Sequence, residues 1–165
     1  MSRQTQWIVY IVIAGVLAFS FYKLVNVASS VSYPYGEEYI INAGQNDVVN
    51  AVNAFKKENP KYCVPDSLQM PGGRKGHLAD GPRGKNDYWY HVYFYYPGEN
   101  QVIKTWLKAT DSNHTTFAFD AVNDGLKIGN WRGVNKDFGH DESRRIKDQF
   151  EERILSHVKK MAEHS

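Results

Sequence analysis

The feature that most constrains this 165-residue chain is a long apolar stretch near its amino terminus. Residues 7–28 read WIVYIVIAGVLAFSFYKLVNVA and carry a single charge, at Lys23. As an α-helix this stretch would be about 33 Å long, enough to cross a hydrocarbon core of about 30 Å. The Lys23 stem can lie along such a helix while its ammonium group reaches the headgroups. The stretch therefore predicts a single-pass membrane anchor that binds the lipid bilayer through residues 7–28.

A cleaved signal peptide is the alternative interpretation of the same stretch. Arg3 supplies a basic region ahead of it, and Ala28 with the two serines that follow offers a cleavage site. The length of the apolar run and the charge at Lys23 favour the anchor. The short polar head, residues 1–6, favours a cytoplasmic amino terminus, so we expect the rest of the chain to be extracytoplasmic.

The remaining sequence is long enough for one domain. Residues 29–36 are small, polar and interrupted by Pro34 and Gly36, which predicts a tether followed by a single domain over residues 37–165. Beyond the first thirty residues the chain carries 18 basic and 18 acidic side chains. Because nucleic-acid binding requires a basic face, we expect no nucleic-acid partner.

Sequence periodicity predicts two helices and four strands in this domain. The first helix is expected to be capped by the polar residues 45–47 and to run to about Glu58. The last is expected to be capped by Asp141 or a neighbour and to run to about Met161. Residues 38–42 read either as a brief strand or as the start of the domain. The four predicted strands, separated by short turns, cover residues 88–96, 101–110, 115–122 and 126–131.

Four consecutive strands with such short links predict an antiparallel meander. Each helix has one apolar side, so both are expected to pack on one face of the sheet. The predicted fold class is therefore α+β: a transmembrane helix, then a four-stranded antiparallel meander flanked by two helices in the order helix, four strands, helix. This order resembles that of the cystatin-like and nuclear-transport-factor-like α+β folds, a resemblance of topology that assigns no residue a role.

Residues 62–86 are rich in glycine and proline, which predicts an irregular loop between the first helix and the strands. The loop is locally basic, and a Gly-rich basic loop can hold an anion through its backbone N–H groups. It is not a P-loop, because Asn86 stands where Ser or Thr is required. A surface loop without a ligand is the simpler interpretation. The possible anion-binding residues are Arg74, Lys75, Arg83 and Lys85.

Few residue patterns in the sequence indicate a catalytic or metal site. The acids and the histidine within residues 137–142 form the best metal candidate, but acids are also favoured at a helix start, so we expect no metal or other cofactor. His91 and Asp87 are the best general-base pair, yet on one continuous strand they would lie about 13 Å apart. Cys63, the single cysteine, excludes an intrachain disulfide and is expected to be a small buried hydrophobe.

The first predicted strand is unusually aromatic, with seven Tyr, Trp or Phe among the nine residues from Tyr88 to Tyr96. If Tyr90, Val92 and Phe94 face the helices, the alternate residues share the opposite face with those of the next strand. Aromatic and lysine side chains on one face predict a binding surface, unless the 62–86 loop covers it. The predicted surface consists of Trp89, His91, Tyr93, Tyr95, Lys104, Trp106 and Lys108.

Two functions follow as expectations. The first is a membrane-anchored interaction or assembly module, whose protein partner docks on the aromatic sheet face. The alternative is a small-molecule-binding or catalytic domain, with a pocket between the sheet and the helices and the basic loop over its mouth. No residue pattern specifies a reaction, so the interaction module is the preferred interpretation.

Overall fold

A computed structural model describes residues 35–85 and 87–164, which belong to one compact unit that starts at Tyr35. The predicted anchor over residues 7–28 and most of the predicted tether lie outside the described residues. Within the described residues, no helix is both long enough and apolar enough to cross a membrane. The described part of the chain is an α+β structure with antiparallel sheets, in agreement with the predicted class.

The main sheet has five strands. They are β1 (Glu37–Ile41), β4 (Tyr90–Tyr96), β5 (Gln101–Ala109), β6 (Thr115–Asp124) and β7 (Trp131–Gly133), and the two short strands between β1 and β4 in the chain form a separate hairpin. The central path of the main sheet runs in the spatial order β1-β6-β5-β4, and β7 pairs with β6 beside β1. All pairings within the sheet are antiparallel, and the last four strands form the predicted meander.

Two strands differ from the sequence expectation. Residues 38–42 are not merely the start of the domain, because β1 pairs along β6 and makes the sheet five-stranded rather than four-stranded. The last strand is short and begins only at Trp131, whereas the sequence predicted a strand over residues 126–131. Leu126 and Ile128 instead pack in a small apolar cluster outside the main core, so their apolar character reflects burial in a loop.

The helices pack on one face of the main sheet. The first helix, α1 (Gln45–Glu58), buries Val48, Val52 and Phe55. The last is a continuous run made of α2 (His140–Phe150), a π-helical turn (Glu151–Leu155) and α3 (Ser156–Glu163). Both apolar stripes join one core with β-strand residues such as Phe94, Phe117 and Phe119.

Neither helix is capped by the polar side chains expected from the sequence. Gly44 and Gly139 occupy the cap positions in extended backbone conformations, and no side chain caps either helix. At Gly44 an added Cβ would lie 3.2 Å from the carbonyl oxygen of Ser112, in the β5–β6 turn. Close passage of that turn therefore favours glycine over a side chain that could cap α1.

The irregular region begins with a short 3₁₀ turn (Pro60–Tyr62) after α1. A small hairpin of β2 (Leu68–Gln69) and β3 (Lys75–Gly76) follows, and the other residues described up to position 85 form no helix or strand apart from isolated bridges. Cys63 is exposed here, with its Sγ 3.7 Å from the carbonyl oxygen of Lys56. The expectation that it is buried was wrong, because the 3₁₀ turn ends at the surface.

Candidate functional site

Alternate residues of β4, two of them tyrosines, share one sheet face with alternate residues of β5, as the strand alternation predicted. The register places His91 opposite Trp106, Tyr93 opposite Lys104, and Tyr95 opposite Val102. The opposite face of β4 carries Val92 and Phe94 into the helical core. Six of the seven residues of the predicted binding surface therefore lie on β4 and β5, on the face away from the helices. Trp89 precedes β4, and its ring contacts that of Trp106.

The 62–86 loop covers the centre of that face. Leu68 is fully buried against Val102 and Ile128, with Met70 and Leu78 packed around them. His91 is 2 %, Tyr93 3 % and Trp106 1 % exposed. Of the predicted surface, Trp89, Tyr95, Lys104 and Lys108 are half-buried, so the accessible parts are at the margins of the loop.

The loop also bonds to the outer edge of β4. Gly81 and His91 exchange two backbone hydrogen bonds, of 2.9 and 3.0 Å. The Asp80 Oδ1 accepts the Tyr93 N–H at 3.0 Å, and the Lys56 ammonium group on α1 donates to the Tyr93 carbonyl at 2.7 Å. Lys56 and Asp80 are themselves ion-paired. These contacts satisfy backbone groups that an edge strand would otherwise present to other chains.

A bulge in β6 turns a carboxylate towards the covered face. The β5–β6 register shifts between Lys104 and Thr105, which places Asp120 as the extra residue. Its Oδ2 lies 2.6 Å from the Lys104 Nζ, and both side chains are largely buried. Bulges often re-aim side chains next to functional sites. Sequence reasoning missed Asp120, although one acid inside the apolar run from Phe117 to Val122 was a signal.

Asp87 and His91 are in contact, which corrects the expectation of a 13 Å separation. The Asp87 Oδ2 is 3.3 Å from the His91 Nε2, because β4 starts only at Tyr90 and the preceding residues turn back. Hydrogen bonds from the backbone N–H groups of Trp89 and Arg83 lower the pKa of Asp87. Burial lowers the pKa of His91, which favours a neutral imidazole. The pair thus fixes the start of β4, and the buried ring is out of reach for a bulky substrate.

A cleft opens between the loop and the sheet; we call it the loop cleft. Its volume is about 470 Å³. The Arg83 guanidinium group donates to the Tyr93 hydroxyl at its margin, and the rings of Tyr93 and Trp131 lie 6.3 Å apart at 43°. Aliphatic side chains and His77 complete the lining. Residues that define the loop cleft are Met70, His77, Leu78, Arg83, Tyr93 and Trp131.

A second, smaller cleft of about 310 Å³ lies at the start of β4. Tyr88 is 81 % exposed there, beside Trp89. The Lys108 ammonium group lies 4.9 Å from the centre of the Trp89 ring, and the Trp89 and Trp106 rings meet edge to face at 4.2 Å. We call the surface formed by Tyr88, Trp89 and Lys108 the Tyr88 patch.

The structure also shows the positions of the four bases of the predicted anion loop and of the predicted metal cluster. All four loop bases are exposed. Arg83 lines the loop cleft, whereas Arg74 and Lys75 belong to the β2–β3 hairpin and Lys85 lies beyond Arg83. In residues 137–142, the Asp137 carboxylate accepts the Gly133 N–H at 2.8 Å. Over the described ranges, no three His, Cys, Asp or Glu side chains converge as metal ligands would.

The pocket expected between the sheet and the helices is replaced by packed core, in which Phe55, Phe94 and Phe150 are almost fully buried. The loop cleft and the smaller cleft at the start of β4 lie beside the loop, and another cleft, of about 360 Å³, lies at the start of α2 beside Asn135, Phe138 and Arg144. In comparison with known proteins, no protein-family model matches the sequence, and no curated protein matches it significantly.

Proposed function

We propose that this domain binds a small organic molecule in the loop cleft. The observation that carries the proposal is the cleft itself: about 470 Å³ lies within the range of roughly 300–1,000 Å³ that is common for small-molecule sites. Its walls are mainly aromatic and aliphatic, with a few polar groups at the margin, which is the usual composition of such sites. The Arg83 guanidinium group and the Tyr93 hydroxyl supply those polar groups.

Coverage of the aromatic face favours a small molecule over a protein at this position. His91, Tyr93 and Trp106 are almost fully buried by the loop, so a protein partner would have to displace the loop to contact them. A small molecule needs only the space between Leu78 on the loop and Trp131 on the sheet, which both line the cleft.

Thermal melting of the full chain in detergent with benzoate, benzamide and benzylamine tests the proposal. At least one of these one-ring compounds is expected to raise the melting temperature, because a ligand at 100 times its Kd stabilises the folded state by about 2.7 kcal/mol. Ala79→Trp should fill the cleft mouth and remove the shift. Ala109→Trp, an Ala-to-Trp change at another exposed position, which lines the smaller cleft, should keep the shift. No shift from any compound, or equal shifts in both variants, would contradict the proposal.

A second proposed function is the membrane-anchored interaction module, now centred on the Tyr88 patch. The observation in its favour is that Tyr88 is the most exposed of the large hydrophobic side chains described and stands beside a lysine-covered tryptophan. Aromatic residues of this kind are common among binding hot spots. The apolar run over residues 7–28 would hold this patch near the bilayer.

Fractionation and copurification of the full chain test the second proposal. The protein is expected in the membrane pellet, with its amino terminus uncleaved, and to copurify with a stoichiometric protein partner. Tyr88→Ala should release that partner while Tyr35→Ala, another exposed tyrosine, should not. A mature sequence that starts at Val31 would overturn the anchor, and partner retention by Tyr88→Ala would overturn the patch.

A further inference from the structure

We propose that the outer side of β1 binds an extended, basic segment of another protein, which adds a strand to the main sheet. We call this side of Glu37–Ile41 the β1 edge. It lies on the opposite edge of the sheet from β4, so this surface is separate from both the loop cleft and the Tyr88 patch. Unpaired backbone groups favour an added strand, and the carboxylates beside them favour a basic one.

A row of four residues across the sheet shows which backbone groups of β1 point outward. In the order β4, β5, β6, β1, the row consists of His91, Trp106, Ala118 and Glu38. Hydrogen-bonded and non-hydrogen-bonded pairs alternate along such a row, because both backbone groups of a residue point to the same side of an antiparallel strand. His91 bonds outward to Gly81, so its pair with Trp106 is not hydrogen-bonded. It follows that Trp106 bonds to Ala118 and that Glu38 points away from β6.

The open part of the β1 edge consists of the backbone groups of Glu38 and Ile40. Ile40 is two residues along the strand, so its groups also point outward. The N–H of Asn42, two residues further on, is bonded to the Glu163 Oε1 of α3 at 3.0 Å, as the same alternation requires. Within the described residues, no hydrogen bond reaches the outward groups of Glu38 and Ile40. Glu38 is exposed and Ile40 is 50 % exposed, so this edge is a template for strand addition.

Carboxylates lie beside the β1 edge. Glu38 is on the strand itself. Burial raises the pKa of the Tyr39 hydroxyl, and the nearby carboxylates of Glu151, Glu37 and Asp148 raise it further. Asp148 and Glu151 are both exposed and belong to the last helical run, which packs against Tyr39. An incoming strand therefore meets carboxylates on β1 and on the helical run below it.

These charges distinguish a basic partner from a second copy of the chain. Lys147 matches Glu37 at 3.2 Å. Over the described part of the chain, no basic side chain forms an ion pair with Glu38, Asp148 or Glu151. A second copy would bring the same acids to the same edge, and like charges across a strand pair are destabilising. Lysine or arginine on an added strand instead meets opposite charges.

The two faces of β1 define the pattern of the added strand. Ile40 lies on the exposed face, whereas Tyr39 points to the last helical run. Side chains of an added strand alternate between the same two faces. Apolar side chains can therefore pack beside Ile40 while the alternate basic side chains meet Asp148 and Glu151. A peptide of alternating lysine and valine has this pattern.

Hydrogen exchange and fluorescence anisotropy of the full chain in detergent, with a short lysine–valine peptide, test the proposal. In the free protein the Glu38 and Ile40 amides are expected to exchange fast, whereas the Tyr39 amide, which bonds to β6, is protected. The peptide should slow exchange at Glu38 and Ile40. A glutamate–valine peptide, and a lysine–valine peptide with a central proline, should each bind about tenfold more weakly, because the first has the wrong charge and the second lacks a donor.

Two variants and a control locate the bound peptide. Ile40→Pro removes an outward N–H, a change that edge strands tolerate, and should weaken the lysine–valine peptide by about tenfold. Asp148→Lys should weaken it by about fivefold at low salt. Asp66→Lys, the same change at an exposed position of the 62–86 loop, should leave binding unchanged. Melting temperatures show whether each variant is folded, and Asp148→Lys decides the result if Ile40→Pro unfolds.

Five results would overturn the inference. Protection of the Ile40 amide in the free chain would show that the edge is already covered. Equal binding of the proline-containing peptide would indicate charge attraction without strand pairing, and equal binding of the glutamate–valine peptide would exclude a role for the carboxylates. A dimer, detected by light scattering and dissociated by Ile40→Pro, would assign the edge to a second copy. Failure of the lysine–valine peptide to bind would contradict strand addition by a basic partner and leave both proposed functions unaffected.

Discussion

Replacement of Phe150 by alanine is expected to lower the free energy of unfolding by about 3–5 kcal/mol, the usual cost of removing a buried phenylalanine. Phe150 is fully buried at the end of α2. Its ring contacts those of Phe119 at 4.8 Å, Phe117 at 5.5 Å and Tyr39 at 5.9 Å between centroids. These contacts join the last helical run to β6 and β1, so the substitution leaves a cavity at the junction of three elements.

Urea unfolding of a fragment of residues 31–165 measures this cost. The main core is built from residues between Ile41 and Ala162, so the fragment is expected to fold by itself. Phe138→Ala is the control, because Phe138 is only partly buried at the core margin and should cost less. An unfolding midpoint unchanged by Phe150→Ala would show that the last helix does not pack on the sheet.

Removal of the Asp80 carboxylate is expected to have the second-largest effect. In Asp80→Ala the Tyr93 N–H loses its hydrogen-bond acceptor. The Lys56 ammonium group loses its counter-ion, and solvent compensates little because only 14 % of the Lys56 side chain is exposed. An unsatisfied buried group costs about 1–3 kcal/mol, more if it is charged. Because Asp80 joins the loop to both α1 and β4, we also expect the substitution to loosen the loop and change the shape of the loop cleft.

A double-mutant cycle of Asp80→Ala with Lys56→Met separates the contribution of the Asp80–Lys56 ion pair from that of the hydrogen bond between Asp80 and the Tyr93 N–H. A coupling energy of about 0.5–3 kcal/mol is expected for Asp80 with Lys56, since the two are in contact. Asp111→Ala is the control, because both side chains of the Asp111–His114 pair are exposed and solvent screens such pairs, so little change in stability is expected. Hydrogen exchange should show faster exchange of the Tyr93 amide in Asp80→Ala. Full protection of that amide in the variant would contradict the role of Asp80 in holding the loop.

Much of the local structure was determined by the sequence. Alternation in residues 88–96 placed Val92 and Phe94 in the core and Tyr93 and Tyr95 on the other face, because successive side chains of any strand point to opposite sides. Helical spacing placed Phe55 and Phe150 on the buried sides of their helices for a similar reason. These predictions depend on backbone geometry that is the same in every protein.

Only the tertiary structure decided the site. The loop has no periodicity, so nothing in the sequence indicated that Leu68 would cover Val102 or that Asp80 would bind the edge of β4. The pairing of β1 with β6 joins residues nearly eighty positions apart, and the contact of Asp87 with His91 depends on where β4 begins. Which segments pair across such a long stretch of sequence is decided by the packing of the whole core. The sequence therefore identified the aromatic residues. The 62–86 loop buries most of them, and the cleft that exposes the others forms where the loop meets the sheet.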